Sequence, residues 1–236
     1  MKTNVDTKVT PALHPENVTQ IEGYDEETAV YLAPTVTAFS EAYEGIRATW
    51  AAREAAAKNP TLNEAAQIIE TDSYAQKQFA RIARGFDSVR GTLEKSIVAL
   101  EQQLSAPLES KAAHPVASEI RAHVKNLSTE KRHIFIKGAV DSGDAVTVSS
   151  VLGAPAYLSG LDQEFQPIYT RLWNERHSPE VTKRLKVMIG AKELIENRAG
   201  LVFKELEKAV GAPPHKARAL REAKTNSEKA FVLQGP

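Results

Sequence analysis

Apolar residues recur along most of this chain at alternating intervals of three and four positions, the period at which one face of an α-helix returns. The longest unbroken run extends from Val181 to Ala209. Ser178 and Pro179 supply a cap and a first turn before it, and Gly211 follows it as a stop signal. The pattern therefore predicts a long helix with a narrow apolar stripe in this part of the chain.

Two further long helices are predicted in the first half of the chain. The first runs from about Thr35 to Lys58 and is followed by an Asn-Pro pair. The second begins at Thr61, whose hydroxyl group can form a capping box with Glu64 three residues later. Its apolar stripe continues to Leu104, which favours one helix over this whole segment, and a restart at a second possible capping box of Ser73 and Gln76 is the alternative.

Shorter helices are predicted between the long ones. Residues 105–115 are rich in Ser, Ala and Pro and are interpreted as a linker that precedes a short helix. The apolar cluster at 134–136 favours a helix, and a short strand is the alternative. Asp144 is predicted to cap one helix and Ser159 to cap the next, with a tight turn between them.

The helix pattern divides the chain into four segments. Residues 1–33 have no usable apolar period and are predicted to form an extended acidic arm. A helical hairpin (34–106), a second helical region with the heptad helix (107–212), and a short basic helix with a tail (213–236) follow. Narrow stripes favour coiled-coil-like packing, so the predicted class is all-α, with long amphipathic helices in a coiled-coil-like bundle. An ordinary monomeric bundle is the alternative to completion by other subunits.

Charge and composition narrow the classes of function. Thirty Lys and Arg balance thirty Asp and Glu, so no overall field attracts the molecule to nucleic acid or to an anionic membrane. The charge is nevertheless uneven, since residues 182–236 contain twelve Lys and Arg against six Glu. There is no cysteine, which excludes disulfides and thiolate chemistry. No apolar stretch is long enough to span a bilayer, so we expect no membrane partner.

Residues that could carry catalysis or bind metal are sparse. Glu130 and His133 form one Glu-x-x-His pair, and Glu119 lies one helical turn before His123, but the second Glu-x-x-His pair of a carboxylate-bridged metal site is absent. Gly138 and Gly143 have the spacing of a phosphate-binding loop, but Asp144 follows where that loop requires lysine. Hydrolase signatures are absent. We therefore expect no cofactor, no metal site, no small-molecule substrate and no enzymatic activity.

Basic side chains on two predicted helices could contact a partner or DNA. One stripe consists of Lys77, Arg81 and Arg84. The other, on the C-terminal helix, consists of Lys216, Arg218, Arg221 and Lys224. Acidic residues interrupt both stripes, and the C-terminal one contains no aromatic residue to stack on a base, so the pattern favours a solvated surface or a protein contact over DNA.

The stretch "DSGDAVTVSSVLGAPAYLSGL", with the helix, the "HSPE" turn and the heptad helix that follow it, resembles uncharacterised helical proteins encoded beside the capsid and packaging genes of tailed bacteriophages. The resemblance covers roughly residues 130–210 and depends on the "GDA", "VLGAP" and "LSGL" motifs. The resemblance implies a structural or assembly protein of the virion. Such a protein is expected in the virion and in the host cytoplasm. We expect a homo-oligomer that contacts capsid, portal or tail proteins. A DNA-binding protein of the packaging machinery is the alternative.

Overall fold

The computed structural model describes residues 8–231, and this range contains helices and turns but no β-strand. The all-α class is therefore confirmed. The α-helices are α1 (Glu16–Thr19), α2 (Glu26–Lys58), α3 (Glu64–Lys111), α4 (Ala117–Asn126), α5 (Thr129–Ser142), α6 (Ala145–Leu152), α7 (Phe165–His177), α8 (Pro179–Val210) and α9 (Pro214–Glu228). Short 3-10 turns lie at Pro11–Leu13, Ala156–Leu158 and Lys229–Phe231. None of the helices within this range has the length and apolar character needed to span a membrane.

Tertiary contacts divide the chain into two units. The first unit contains the residues up to Leu93 and those from Gly190 onward, and the second contains residues 94–189. One boundary falls inside α3 and the other inside α8. The predicted four segments followed the helix pattern instead, and both that division and the coiled-coil character of the packing stay predictions.

In the first unit, α2 begins nine residues before the predicted start at Thr35. Asp25 caps it, because its Oδ1 atom accepts hydrogen bonds of 3.0 Å from the amides of Glu27 and Thr28. The Thr28 hydroxyl in turn accepts from the Asp25 amide at 2.8 Å. This capping box outweighs Pro34, which lies inside the helix and which sequence analysis had placed before the helix start.

Helix α2 packs antiparallel to the first part of α3. Three contacts show this direction: Phe39 with Phe86 (ring centroids 5.1 Å apart), Glu41 with Arg81 (3.7 Å), and Gly45 with Ile82. A Cβ atom on Gly45 would lie 3.0 Å from the Ile82 Cδ1 atom, so the glycine allows a close approach of the two helices.

The N-terminal segment is packed, and the prediction of an extended arm over residues 1–33 is wrong for residues 8–33. Val9, Leu13 and Val18 are buried, although their spacing fits no single helical face. The Thr10 amide donates to Glu205 Oε2 at 3.1 Å, and Arg198 Nη1 donates to the carbonyl of Ala12 at 3.2 Å. Each apolar residue is therefore buried by long-range contacts that local periodicity does not reveal. Residues 1–7 lie outside the described part of the chain.

The second unit is built around the buried helix α6. Its core combines residues from the end of α3 and from α4 to α7: Leu108, Val124, Ile136, Ala139, Val140, Val148, Val151, Leu152, Ala156, Leu161, Tyr169 and Trp173. The linker predicted at 105–115 is wrong for its first part, because α3 continues through Pro107 to Lys111 and buries Leu108 in this core. The cluster at 134–136 lies in α5, so the helix interpretation is confirmed and the strand alternative is wrong.

Capping residues explain where several of these helices begin. Asp144 caps α6 as predicted, and its Oδ1 atom accepts from the amides of Val146 and Thr147 at 3.1 Å. Ser159 does not cap a following helix, since its hydroxyl donates to the Ala156 carbonyl at 3.1 Å. The cap predicted at Thr61 is also wrong, because α3 begins after Asn63, whose Oδ1 atom accepts from the Ala66 amide at 2.9 Å.

Candidate functional site

All four basic residues predicted as contacts on the C-terminal helix lie on α9 and pair with carboxylates. Three pairs reach the first turns of α3, and one stays within α9: Lys216 with Glu64 (3.0 Å), Arg221 with Asp72 (2.8 Å), Lys224 with Glu70 (3.6 Å), and Arg218 with Glu222 (2.8 Å). The positive charge of α9 is therefore offset locally, and three of its four cations serve to attach this helix to α3.

The second basic stripe is also engaged within the first unit. Arg81 lies 3.7 Å from a carboxylate oxygen of Glu41 on α2. Arg84 Nε donates to the carbonyl of Ala80 in its own helix at 3.1 Å. Two of the three members of the stripe thus contact other groups of the protein, as expected for a solvated helix surface.

Beside α9 the first unit contains an apolar groove of about 420 Å³, which we call the phenylalanine groove. Its walls come from α3, α8, Ala212 between α8 and α9, and α9 itself. The lining residues are Asp72, Ala75, Gln76, Phe79, Phe203, Leu206, Glu207, Val210, Ala212, Pro214 and Arg221. The rings of Phe79 and Phe203 meet edge to face with centroids 5.9 Å apart. These two side chains remain 40% and 52% exposed, respectively. Paired aromatic rings at this level of exposure are typical of an interaction surface.

Charged groups in the phenylalanine groove are distributed unevenly. Asp72 and Arg221 neutralise each other at 2.8 Å. Glu207, by contrast, makes no side-chain hydrogen bond or ion pair within the part of the chain that the structure describes, and it is only half-buried. The groove therefore combines an apolar surface with one carboxylate that is available to a basic group.

The histidines considered as metal ligands make contacts with aromatic residues. His133 Nδ1 lies 3.0 Å from the Tyr169 hydroxyl oxygen, and the His133 ring is 4.3 Å from that of Phe165. Burial raises the pKa of Tyr169. The His123 ring meets Phe135 edge to face at 5.3 Å. Residues 8–231 contain no cluster of three or more His, Asp or Glu side chains arranged to hold a metal ion.

The phenylalanine groove was not predicted from the sequence, because one of its two aromatic residues lies off the apolar stripe of its helix. Phe203 lies one position after Val202, so it falls outside the heptad stripe that runs through Val202 and Leu206. Phe79 falls on the apolar stripe of α3, which the sequence pattern predicts to be buried, whereas its side chain is partly exposed. The sequence signal that could have indicated the groove is Phe203, a large apolar residue beside the apolar stripe of its helix.

The protein has no match among the three sets of known proteins with which it was compared. No protein-family model matches the chain, and neither a curated protein nor a solved structure does so.

Proposed function

We propose that this protein is a structural or assembly protein of a tailed-phage particle, and that it acts through contacts with other proteins and not through catalysis. The observation that carries the proposal is the exposed Phe79–Phe203 pair in the phenylalanine groove. Aromatic residues are enriched at the centres of protein interfaces, where their burial contributes a large share of the binding energy. The resemblance of residues 130–210 to helical proteins of phages supplies the setting of the particle.

The proposed occupant of the groove is an apolar segment of another particle protein that also carries a Lys or Arg. A groove between helices α3 and α8 suits an amphipathic helix that inserts a large apolar side chain beside Phe79 and Phe203. The carboxylate of Glu207 has no partner among the described residues and would accept the basic group. The protein would then be located in the virion, with copies in the host cytoplasm before assembly.

DNA binding by α9 is the less favoured alternative. Lys216, Arg221 and Lys224 would have to leave carboxylates of α3 before they could neutralise phosphates. Replacement of the four basic residues by Ala should abolish salt-sensitive DNA binding if this alternative is correct. A wild-type protein that binds no DNA at low salt would exclude it.

Mass spectrometry of purified virions tests the main proposal. We expect the chain to be present at a fixed copy number, and we expect Phe203→Ser and Glu207→Lys to reduce its incorporation severalfold. Phe231→Ser is the matched control, because Phe231 is highly exposed and does not line the groove. A mass of the purified protein above one chain that Phe203→Ser restores to one chain would identify a second copy as the occupant instead.

Two results would contradict the proposal. The first is a coding region that lies outside any phage genome. The second is the absence of the chain from both virions and assembly intermediates. Incorporation that falls equally in Phe203→Ser and Phe231→Ser would argue against the phenylalanine groove as the contact surface.

A further inference from the structure

A second groove, formed entirely by residues of the second unit, has a volume of about 630 Å³. Its apolar lining residues include Leu104 and Leu108 near the end of α3, Leu152 of α6 and Leu185 of α8. The remaining walls come from α7 and from the segment that precedes it. A volume of this size is in the range of pockets that bind ligands, roughly 300–1,000 Å³. We call it the asparagine groove, after Asn174, which lines it.

Two polar groups in this groove lack partners. Asn174 on α7 is only 8% exposed, yet its side chain makes no hydrogen bond with the described part of the protein. The Oγ1 atom of Thr182 is buried and also has no hydrogen-bond partner among these residues. Buried polar groups are nearly always satisfied, so the unpaired Thr182 hydroxyl group, beside a carboxamide that has no protein partner, indicates the position of a polar ligand.

Two neighbouring polar side chains, those of Gln166 and Arg171, are already engaged. The Gln166 Nε2 atom donates to the carbonyls of Leu152 at 2.8 Å and Ala154 at 2.9 Å, and thereby fixes the segment between α6 and α7. Arg171 lies 3.7 Å from a carboxylate oxygen of Glu175. The carboxamide of Gln163 also lacks a partner among the described residues but is exposed to solvent, so Asn174 is the buried carboxamide of this groove with both its donor and its acceptor available.

The chemistry of the groove matches a polypeptide. A carboxamide presents one acceptor and two donors, so Asn174 can pair with both the N–H and the C=O of a peptide backbone. Glu101 and Glu109 are exposed on α3 at the groove and carry charge complementary to basic side chains. The leucines offer a surface for an apolar side chain between them.

We infer that the asparagine groove binds an extended peptide segment of a partner protein, with an apolar residue next to Lys or Arg and with its backbone held by Asn174. The inference rests on the proposed function, since it requires a protein partner. It adds a second contact site, in different residues, with a different mode of recognition: backbone hydrogen bonds in place of aromatic packing.

Selection from a displayed library of short random peptides against the full protein tests this inference. We expect enriched peptides to contain an apolar residue beside a basic one, and we expect Asn174→Leu to weaken their binding about tenfold, the effect of losing two neutral hydrogen bonds. Gln102→Leu is the matched control, because it removes an exposed carboxamide of the same unit that does not line the groove. Thr182→Val, which keeps the shape of the side chain, gives a second measurement if Asn174→Leu does not fold.

Three outcomes would overturn the inference: no enrichment, enrichment of acidic peptides, or equal binding by wild type, Asn174→Leu and Thr182→Val. Failure of the proposed function is distinguishable from failure of the groove. A chain that is absent from virions but binds basic-apolar peptides through Asn174 would contradict the phage setting and retain the groove. A chain that is incorporated into virions through Phe203 but shows no Asn174-dependent peptide binding would retain the proposed function and contradict the asparagine groove.

Discussion

The Nε atom of Arg221 on α9 lies 2.8 Å from Oδ2 of Asp72 on α3. The two residues are 149 positions apart in the sequence. The guanidinium group of Arg221 was a candidate contact for DNA, and here it pairs with the carboxylate of Asp72 in the same unit. It also closes one side of the phenylalanine groove, to which both residues contribute.

Arg221→Ala is expected to loosen α9. The loss of this ion pair should lower the free energy that holds residues 214–228 against α3 by about 1 kcal/mol, the upper range for a partly exposed pair. Hydrogen–deuterium exchange of the α9 amides measures the change. Arg218→Ala is the control, since its partner Glu222 lies in the same helix, and it should leave the exchange nearly unchanged. Equal exchange in both variants would mean that the Asp72 pair does not hold the helix.

Leu13→Ala tests whether the N-terminal segment belongs to the core of the first unit. Leu13 is completely buried, so truncation should lower the free energy of unfolding by about 2–5 kcal/mol. The control is Val30→Ala, which truncates an exposed apolar residue of α2 and should have little effect. Denaturant unfolding measures both. If the two variants were equally stable, the segment would behave as the extended arm that sequence analysis predicted.

Gly153→Ala is expected to destabilise the second unit. A Cβ atom on Gly153 would lie 2.2 Å from the carbonyl oxygen of Leu108, which is backbone of α3 and cannot move aside cheaply. The expected cost is at least about 1–3 kcal/mol, as for other overpacked sites. Gly138→Ala in α5 is the matched control, because no atom lies within 4 Å of the added methyl group. That variant should gain up to about 1 kcal/mol of stability from its helix position. If the midpoint temperature of thermal unfolding fell by the same amount in both variants, this assignment would be contradicted.

Asp144 predicts a pH dependence of the second unit. Hydrogen bonds from the Thr147 side chain, the Thr147 amide and the Val146 amide hold the pKa of Asp144 below its ordinary value of 3.8. Its contribution to stability is therefore fully present above that ordinary value and is lost as the pH falls through the lower folded-state pKa. Asp144→Asn should retain the cap and remove this part of the acid dependence, whereas Asp144→Ala should cost about 1 kcal/mol at neutral pH. The free energy of unfolding, measured from pH 7 to pH 2, distinguishes these two variants. If the stability of Asp144→Asn depended on pH as that of the wild type does, the assignment would be refuted.

Local signals predicted the fold best where a helix has its own start, stripe and stop. Helix α8 begins at Pro179 and ends before Gly211, as its capping residues and heptads predicted. The same reasoning failed where burial depends on distant partners. Leu13 is buried among residues far from it in sequence, and Leu108 is drawn into the core of the second unit although Pro107 precedes it.

In the candidate site, too, local features could be predicted from the sequence and contacts between distant residues could not. The four basic residues of α9 could be found from the sequence, but their partners on α3 could not. Glu64 was predicted to complete a capping box with Thr61, whereas it pairs with Lys216 at 3.0 Å. The phenylalanine groove could not be predicted because it forms only where α3 and α8 pack side by side. The apolar pattern of a sequence describes one helix at a time and does not say which helices are neighbours.

The hydrogen bond from Thr10 to Glu205 has a consequence for the order of folding during synthesis. The second unit is one continuous stretch, residues 94–189, and all of its residues have been translated before Gly190 is added. The first unit cannot be completed until Glu205 has left the ribosome, so Thr10 and Ala12 lack their hydrogen-bond partners on α8 while the second unit forms. The nascent N-terminal segment is therefore open to chaperones and proteases for as long as translation takes to reach the end of α8.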